Sequence, residues 1–182
     1  MRLFFKILNK LFMVPMFRLG MGPFFGNPFS GYIMVLVTVG RKTGKRRSTP
    51  LNYAIVGGDV YCLSGWGGKA DWCRNVEANP EVSLIMPGGA MAGRAEDVSA
   101  IPERAAIVRQ ILKNGGFAGF ATGLNAWRVS DERLLAKTEK TSLMRVRPTG
   151  LANGACDPGG WAWIWTVIAT VILIVALVLL IR

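Results

Sequence analysis

Residues 33–56, "IMVLVTVGRKTGKRRSTPLNYAIV", decide the fold. Two runs rich in β-branched and aromatic residues, 33–39 and 49–56, predict β-strands. Between them lie Gly40 and Gly44, which allow the backbone to turn tightly. The sequence therefore predicts two strands joined by a short loop, and the loop carries most of the charge of this region.

Five basic side chains occupy the seven positions 41–47 of this loop. Arginine presents a planar fork and lysine a point charge, and both suit phosphate or carboxylate. Thr43, Ser48 and Thr49 add hydroxyl groups. From composition alone the loop is a solvated turn, a nucleic-acid patch or a cradle for an anion, and composition does not choose among them.

Beyond this stretch, short apolar runs alternate with turn residues. Gly57-Gly58 is typical of a two-residue hairpin turn, and Asn79-Pro80 of a helix end. Strands are predicted at 33–39, 49–56, 59–65, 81–86, 90–98 and 141–148, and helices at 70–78, 102–114 and 131–136. Strands joined mainly by short turns favour an antiparallel sheet closed into a small barrel, a mainly β structure with helices (α+β). A doubly wound sheet would need regular alternation of strands and helices.

The charge is unevenly distributed along the 182 residues. The net charge is +11, and residues 1–58 carry nine basic residues and no acidic one. Such an imbalance indicates an anionic partner: nucleic acid, a membrane surface or a small molecule. The chain has no histidine, which excludes Ser-His-Asp and Cys-His catalysis and histidine-ligated metals. Its three cysteines, Cys62, Cys73 and Cys156, show no disulfide or metal spacing.

The C-terminal segment 161–181, "WAWIWTVIATVILIVALVLLI", has no charged residue. As a helix it would extend roughly 31 Å, close to the thickness of a bilayer's hydrocarbon core. Basic residues precede it more often than they follow it, so the positive-inside rule places the main domain in the cytoplasm. The sequence thus predicts a single-pass membrane protein. The flanking basic residues are Lys137, Lys140, Arg145 and Arg147 before the segment and Arg182 after it.

Residues 1–19 predict an amphipathic helix, with Arg2, Lys6, Asn9 and Lys10 on one face. It either lies on a membrane or caps the domain, and the sequence leaves both open. The predicted organisation is this helix at 1–19, a barrel domain at 20–148, a linker at 149–160 and the transmembrane helix at 161–181.

The order of several motifs is more specific than the charge. "TVGRKTGKRRSTPLNY", "LSGWGGKADWCRNVEANPEVSLIM", "AGRAEDVS" and "LMRVRP" follow one another between residues 18 and 148. In this order they resemble the deazaflavin-dependent nitroreductase family. The resemblance implies a split β-barrel of the FMN-binding type that binds coenzyme F420. It also implies an oxidoreductase that moves a hydride between F420 and a quinone or nitro compound.

The resemblance also implies the site residues. Arg41, Lys42, Thr43 and Arg47 would hold the phosphate and the acidic oligoglutamate tail of F420, and Lys69 would add a tail contact. The ring-side turn would comprise Ser64, Gly65 and Gly68. Asp71 and Trp72 would begin the helix beneath the cofactor, and Asn75 would serve helix packing. The sequence departs from the family pattern at "KADW" and at Asn52, so no catalytic or substrate residue is assigned, and no metal site is expected.

The function expected is therefore a membrane-anchored oxidoreductase that passes a hydride between F420 and a small or lipid-soluble acceptor, such as a membrane quinone or a nitro compound. Two alternatives remain at this stage. FMN also offers a phosphate and a tricyclic ring on the same barrel. A non-catalytic membrane protein would use its basic face to bind cofactor or anionic lipid. Nucleic acid is not expected as a partner, and the oligomeric state is open.

Overall fold

A computed structural model of the chain describes residues 7–19, 21, 31–65, 70–87, 89–116, 119, 123–151 and 163–181. Six strands form a closed barrel in the order β1-β2-β3-β6-β5-β4, and all neighbouring strands are antiparallel. The strands are β1 (Ile33–Val39), β2 (Arg46–Val56), β3 (Asp59–Leu63), β4 (Glu81–Met86), β5 (Gly89–Asp97) and β6 (Leu143–Leu151).

The helices follow the predicted order. A π-helical turn over Asn9–Met13 leads into the short α1, and the other helices lie between strands or after the barrel. They are α1 (Val14–Arg18), α2 (Asp71–Ala78), α3 (Arg104–Lys113), α4 (Asp131–Thr138) and α5 (Trp163–Ile181). The barrel with surrounding helices agrees with the mainly β class and with the expected split barrel.

Strand β1 is buried on both faces, which explains its unbroken apolar run. Met34 and Leu36 face the barrel interior and are fully buried. Val35 faces outward and is also fully buried, because Met13 and Phe17 of the N-terminal helical segment pack over it. The described part of this segment therefore caps the barrel wall.

Helix α2 contributes to the same interior cluster as β1. Trp72, Cys73 and Val76 lie on one side of the helix and pack with Leu36 and Leu84. Val76 lies four residues after Trp72 and three after Cys73, which are the spacings of neighbours on one helical face. Because α2 is packed into the barrel core, its first turn is held next to the loop between β1 and β2.

Strand β2 begins earlier than predicted. The sequence placed its start at residue 49, whereas the strand begins at Arg46 and pairs Arg46 with Val39 and Arg47 with Thr38. Consecutive basic residues resemble a loop in composition, but pairing with β1 extends them as strand. At the other end of the barrel, β6 reaches Leu151, three residues into the predicted linker, and the rest of the linker lies outside the described residues.

Helix α5 covers Trp163–Ile181, and its described side chains, at 168–180, are exposed. In the described part of the chain, no helix is both long and apolar enough to cross a membrane. The transmembrane helix expected at 161–181 is therefore not supported by the described residues.

Candidate functional site

The loop between β1 and β2 is a tight turn closed by its own backbone. The Gly40 N–H donates to the Lys45 carbonyl at 2.9 Å, and the Gly44 N–H donates to the Gly40 carbonyl at 2.8 Å. Gly44 has φ +66°, a left-handed conformation that glycine adopts without strain. The Thr43 hydroxyl accepts a hydrogen bond from the Lys45 N–H at 3.4 Å. With its backbone closed in this way, the loop directs its basic side chains outward.

Arg41 differs from its basic neighbours because α2 holds it. Its backbone N–H and its guanidinium both donate to the Asn75 Oδ1, at 3.2 and 3.1 Å. The guanidinium also donates to the Asp71 carbonyl at 3.3 Å and to the Asp71 carboxylate at 3.0 Å. The loop is thus attached to the first turn of α2 through one residue.

Asn75 links this contact to the barrel. Its side chain is buried, and its Nδ2 donates to the Thr38 hydroxyl at 3.3 Å. Thr38 is itself buried near the end of β1. Asn75 was expected to serve helix packing, and the structure shows in addition that it joins β1, the loop and α2. The i, i+4 spacing of Asp71 and Asn75 on one helix face is the sequence signal for this role.

Asp71 is exposed, but it lies among positive charges. The hydrogen bond and charge of Arg41 lower the pKa of Asp71, and Arg74 and Lys42 lower it further by their charges. The Arg74 guanidinium lies 3.7 Å from the same carboxylate oxygen. Asp71 is therefore ionised at neutral pH, and it compensates the charge of Arg41.

The other basic side chains of the loop lack the close contact that Arg41 makes with a carboxylate of the described residues, and of these four only Lys42 acts on Asp71, through its charge. Each is exposed, and none forms an ion pair within the described part of the chain. They are Lys42, Lys45, Arg46 and Arg47. Four exposed cations on one short segment create a positive potential that attracts anions.

Two predicted site residues converge beside Gly40. A Cβ at Gly40 would lie 3.1 Å from the Thr43 hydroxyl and 3.5 Å from the Arg47 Nε. Arg47 is paired with Thr38, so it shares the face of β2 that continues the barrel interior, whereas Arg46 lies on the opposite face. A side chain at Gly40 would therefore crowd the Thr43 hydroxyl and the Lys45 carbonyl, which would also lie 3.1 Å from its Cβ. Glycine at this position lets the turn pack closely, with the Thr43 hydroxyl and the Arg47 guanidinium beside it.

The ring-side turn is only partly described. Ser64 is fully buried, and its hydroxyl accepts a hydrogen bond from the Ser142 N–H at 2.7 Å and contacts Cys73. This side chain joins the end of β3 to β6 and α2. Gly65 is exposed, while Gly68 and Lys69 lie outside the described residues. The Ser64 hydroxyl is therefore hydrogen-bonded within the protein, whereas Gly65 is exposed to solvent.

The remaining candidates for chemistry near α2 are buried and neutral. Trp72 is 6% exposed and belongs to the barrel core. Burial raises the pKa of Cys73 to about 11, and it raises the pKa of the fully buried Cys62 even more. Both thiols are protonated at neutral pH and are poor nucleophiles. Among the described residues, no group of three or more Cys, Asp or Glu side chains is arranged to hold a metal ion.

Comparison with known proteins identifies the chain. The family of F420H(2)-dependent quinone reductases matches residues 13–123, and the chain belongs to this family. It is therefore a deazaflavin-dependent oxidoreductase, as the motif order predicted. The family is named for F420, so the FMN alternative is not needed. No curated protein matches the chain.

Solved structures also show similarity, at low sequence identity. An F420-H2 dependent reductase, FDR-A, is 22% identical over 63% of this chain and 91% of its own, with a TM-score of 0.46. A putative 5-nitroimidazole antibiotic resistance protein from Bacteroides thetaiotaomicron is 11% identical over 66% and 74%, with a TM-score of 0.47. The heme storage protein HutZ from Vibrio cholerae is 16% identical over 75% and 87%, with a TM-score of 0.46.

Proposed function

We propose that the protein transfers a hydride between F420 and a quinone or nitro compound, and that the loop 40–47 holds the anionic part of the cofactor. The observation that carries this proposal is the group of exposed cations of the loop outside the ion pairs of the described residues, with the Thr43 hydroxyl and the Arg47 guanidinium both beside Gly40. Phosphate and carboxylate groups match such donors in charge and in hydrogen-bond geometry. The donor set therefore fits the phosphate and oligoglutamate tail of F420.

Within this site the residues have different roles. Arg47 and Thr43 lie beside Gly40 and would bind the phosphate. Lys42, in the turn, would attract the tail carboxylates, with Lys69 as a further contact. Gly65 and Gly68 would lie on the ring side, where a missing side chain allows close approach of a flat ring.

Bound F420 supplies the hydride, so the protein needs to orient the two reactants rather than to provide a nucleophile. The thiols of Cys62 and Cys73 are buried and neutral, so they do not act as nucleophiles that compete with the hydride for the acceptor. Trp72 supports the floor of the site from the barrel core. The chain's contribution is then binding, orientation and exclusion of water.

A fluorescence titration with F420 tests the assignment of the loop. We expect Lys42→Ala and Arg47→Ala each to weaken binding about tenfold, since each removes a charged hydrogen-bond donor. Arg128→Ala is the matched control, because Arg128 is also exposed but lies outside the loop. Wild-type protein that does not bind F420 at micromolar concentration, or loop variants that bind like the control, would contradict the proposal.

The acceptor is tested by the oxidation of reduced F420 in the presence of a naphthoquinone or of a nitroaromatic compound. We expect turnover with the quinone, in line with the family. Turnover with neither acceptor, in protein that binds F420 normally, would support the non-catalytic alternative of a protein that only binds the cofactor.

The proposal includes attachment to a membrane through residues 161–181, with the barrel in the cytoplasm. This segment has no charge, and large apolar side chains of α5 are exposed, with Leu179 at 67% and Leu180 at 82%. Exposed apolar area of this extent is unfavourable in water and favourable in lipid. A membrane-bound enzyme would share the bilayer surface with a lipid-soluble quinone.

Cell fractionation of the full chain tests this attachment. We expect the protein in the membrane fraction, resistant to washing with concentrated salt. The double substitution Ile172→Lys/Leu179→Lys should release it, whereas Ile172→Phe/Leu179→Phe, which keeps the segment apolar, should not. Wild-type protein in the supernatant would exclude the anchor without affecting the assignment of the cofactor loop.

A further inference from the structure

We propose that Arg41 is a positioning residue: together with Asp71 and Asn75 it clamps the cationic loop to α2, and it does not itself contact the anion. This inference rests on the proposed function, because it concerns the loop that would hold F420. It reassigns one residue that the motif order placed in direct contact with the cofactor. The name Arg41 clamp is used below for the contacts among Arg41, Asp71 and Asn75.

The first argument is how the donors of Arg41 are used. Its guanidinium donates to three oxygen atoms of α2, those of the Asp71 carbonyl, the Asp71 carboxylate and the Asn75 amide. Its side chain is 26% exposed, whereas the Asp71 side chain beside it is 81% exposed. An anion that approached Arg41 from solvent would meet the Asp71 carboxylate and be repelled by it.

The second argument is the position of Asn75. Its Oδ1 accepts from both the backbone and the side chain of Arg41, and its Nδ2 donates to Thr38. One buried amide thus fixes the start of the turn relative to the end of β1. Since Lys42 follows Arg41 directly and Arg47 pairs with Thr38, the clamp sets the positions of both exposed cations. Such preorganisation improves binding because the loop loses less freedom when the anion arrives.

For Asp71→Asn, the Arg41 clamp and simple electrostatics predict opposite changes in the affinity for F420. Asp71→Asn removes a negative charge from beside an anion site, so charge alone predicts tighter binding of F420. If the clamp operates, the same change weakens the hold on Arg41 and loosens the loop. We expect Asp71→Asn to weaken F420 binding about threefold, the effect of losing one exposed ion pair.

The experiment measures F420 affinity by fluorescence at several salt concentrations, with thermal unfolding as a check on folding. We expect Arg41→Gln/Asp71→Asn, which leaves the net charge unchanged, to weaken binding to the same extent as Asp71→Asn and to keep the wild-type salt dependence. Lys42→Ala should reduce the salt dependence, because it removes a contacting charge. Arg74→Gln is the matched control: it removes another charge near Asp71 without touching the loop.

Two results would overturn the clamp while leaving the proposed function intact. The first is tighter binding of F420 by Asp71→Asn. It would mean that Arg41 binds the anion directly and that the charge of Asp71 weakens this binding. The second is a salt dependence of the double variant as low as that of Lys42→Ala. Wild-type protein that fails to bind F420 would instead refute the proposed function, and the clamp's role in binding with it. Asp71 and Arg41 are at the surface, so these variants are expected to fold.

Discussion

Asn75 of α2 accepts two hydrogen bonds from Arg41 of the β1–β2 loop, one from its backbone N–H at 3.2 Å and one from its guanidinium at 3.1 Å. The partners are 34 residues apart in sequence, and the amide that joins them is buried. The position of the loop is therefore set by a helix that is itself held in the barrel core. Mutations in α2 should change the loop without altering its charge.

The ionisation of Asp71 provides a direct test of the contact with Arg41. The guanidinium of Arg41 holds the pKa of Asp71 below its ordinary value, and Arg74 and Lys42 act in the same direction. We expect Arg41→Gln to return this pKa towards the ordinary value for aspartate, about 3.9, and Lys42→Gln to have a smaller effect. NMR titration of the side-chain carboxyl carbon measures both.

The sign of the pH effect on stability follows from the same shift. Because the folded pKa of Asp71 is lowered, its contribution to stability is fully present above the unfolded pKa of about 3.9 and is lost as the pH falls through the folded pKa. An Asp71 pKa that is unchanged by Arg41→Gln would show that the ion pair does not form in solution.

Substitution of the buried Trp72, with the exposed Trp127 as its control, tests whether α2 packs in the barrel core. Trp72 is 6% exposed in the barrel cluster, whereas Trp127 is 67% exposed and contacts Lys113. We expect Trp72→Ala to lower the free energy of unfolding by about 3–5 kcal/mol and Trp127→Ala to lower it by about 0.5–1 kcal/mol. Denaturant titration measures both, and equal losses would show that α2 does not pack in the core as described.

The sequence was most informative where one physical signal acts alone. Strands β1 and β4 were predicted with the bounds that the structure shows, because β-branched runs between turn residues have no competing reading. The start of β2 was missed, since Arg46 and Arg47 become strand only through pairing with β1. Local composition carries no information about that partner.

For the candidate site, the sequence indicated which elements to consider but not the contacts between them. The motif order placed the candidate site on the β1–β2 loop and the start of α2, and the structure brings Arg41 and Asp71 of these two elements together. It did not indicate that the Ser64 hydroxyl is occupied by Ser142, 78 residues away, or that Asn75 joins the loop to β1. Both facts depend on contacts between distant parts of the chain, which a single sequence does not specify.

Arg104 is a buried arginine whose guanidinium donates to backbone oxygens. It donates to the carbonyls of Thr138 at 2.7 Å, Thr141 at 2.8 Å and Ser99 at 3.3 Å. Arg104→Met would remove this donor from all three carbonyls, of which the Thr138 carbonyl keeps hydrogen bonds from the Thr141 N–H and hydroxyl. We expect a loss of about 3 kcal/mol in the free energy of unfolding. The exposed Arg94, which pairs with Glu81, is the control: Arg94→Met should cost at most about 1 kcal/mol. A similar small loss for Arg104→Met would contradict the structural role of this residue.

We expect the thiols of Cys62 and Cys73 to react slowly with thiol reagents as long as the protein is folded. Burial raises the pKa of Cys73 to about 11 and that of Cys62 further, so neither is a thiolate near pH 8. In a Cys156→Ser variant, which retains these two cysteines, we expect an aromatic disulfide reagent at pH 8 to react slowly with the folded protein. In denaturant both should react at once, because the unfolded pKa is about 8.5.

The slow reaction of the folded protein with the reagent has a structural cause. In the folded protein, reaction requires local opening of the barrel, because Cys62 and Cys73 are both fully buried and only an exposed thiolate attacks the reagent. Ser64→Ala is an informative companion, since Ser64 hydrogen-bonds with Cys73 and pins β3 to Ser142. We expect it to speed the reaction of the folded Cys156→Ser protein by easing this opening. Rapid reaction of both thiols before any substitution at Ser64 would contradict the packing of α2 against β3.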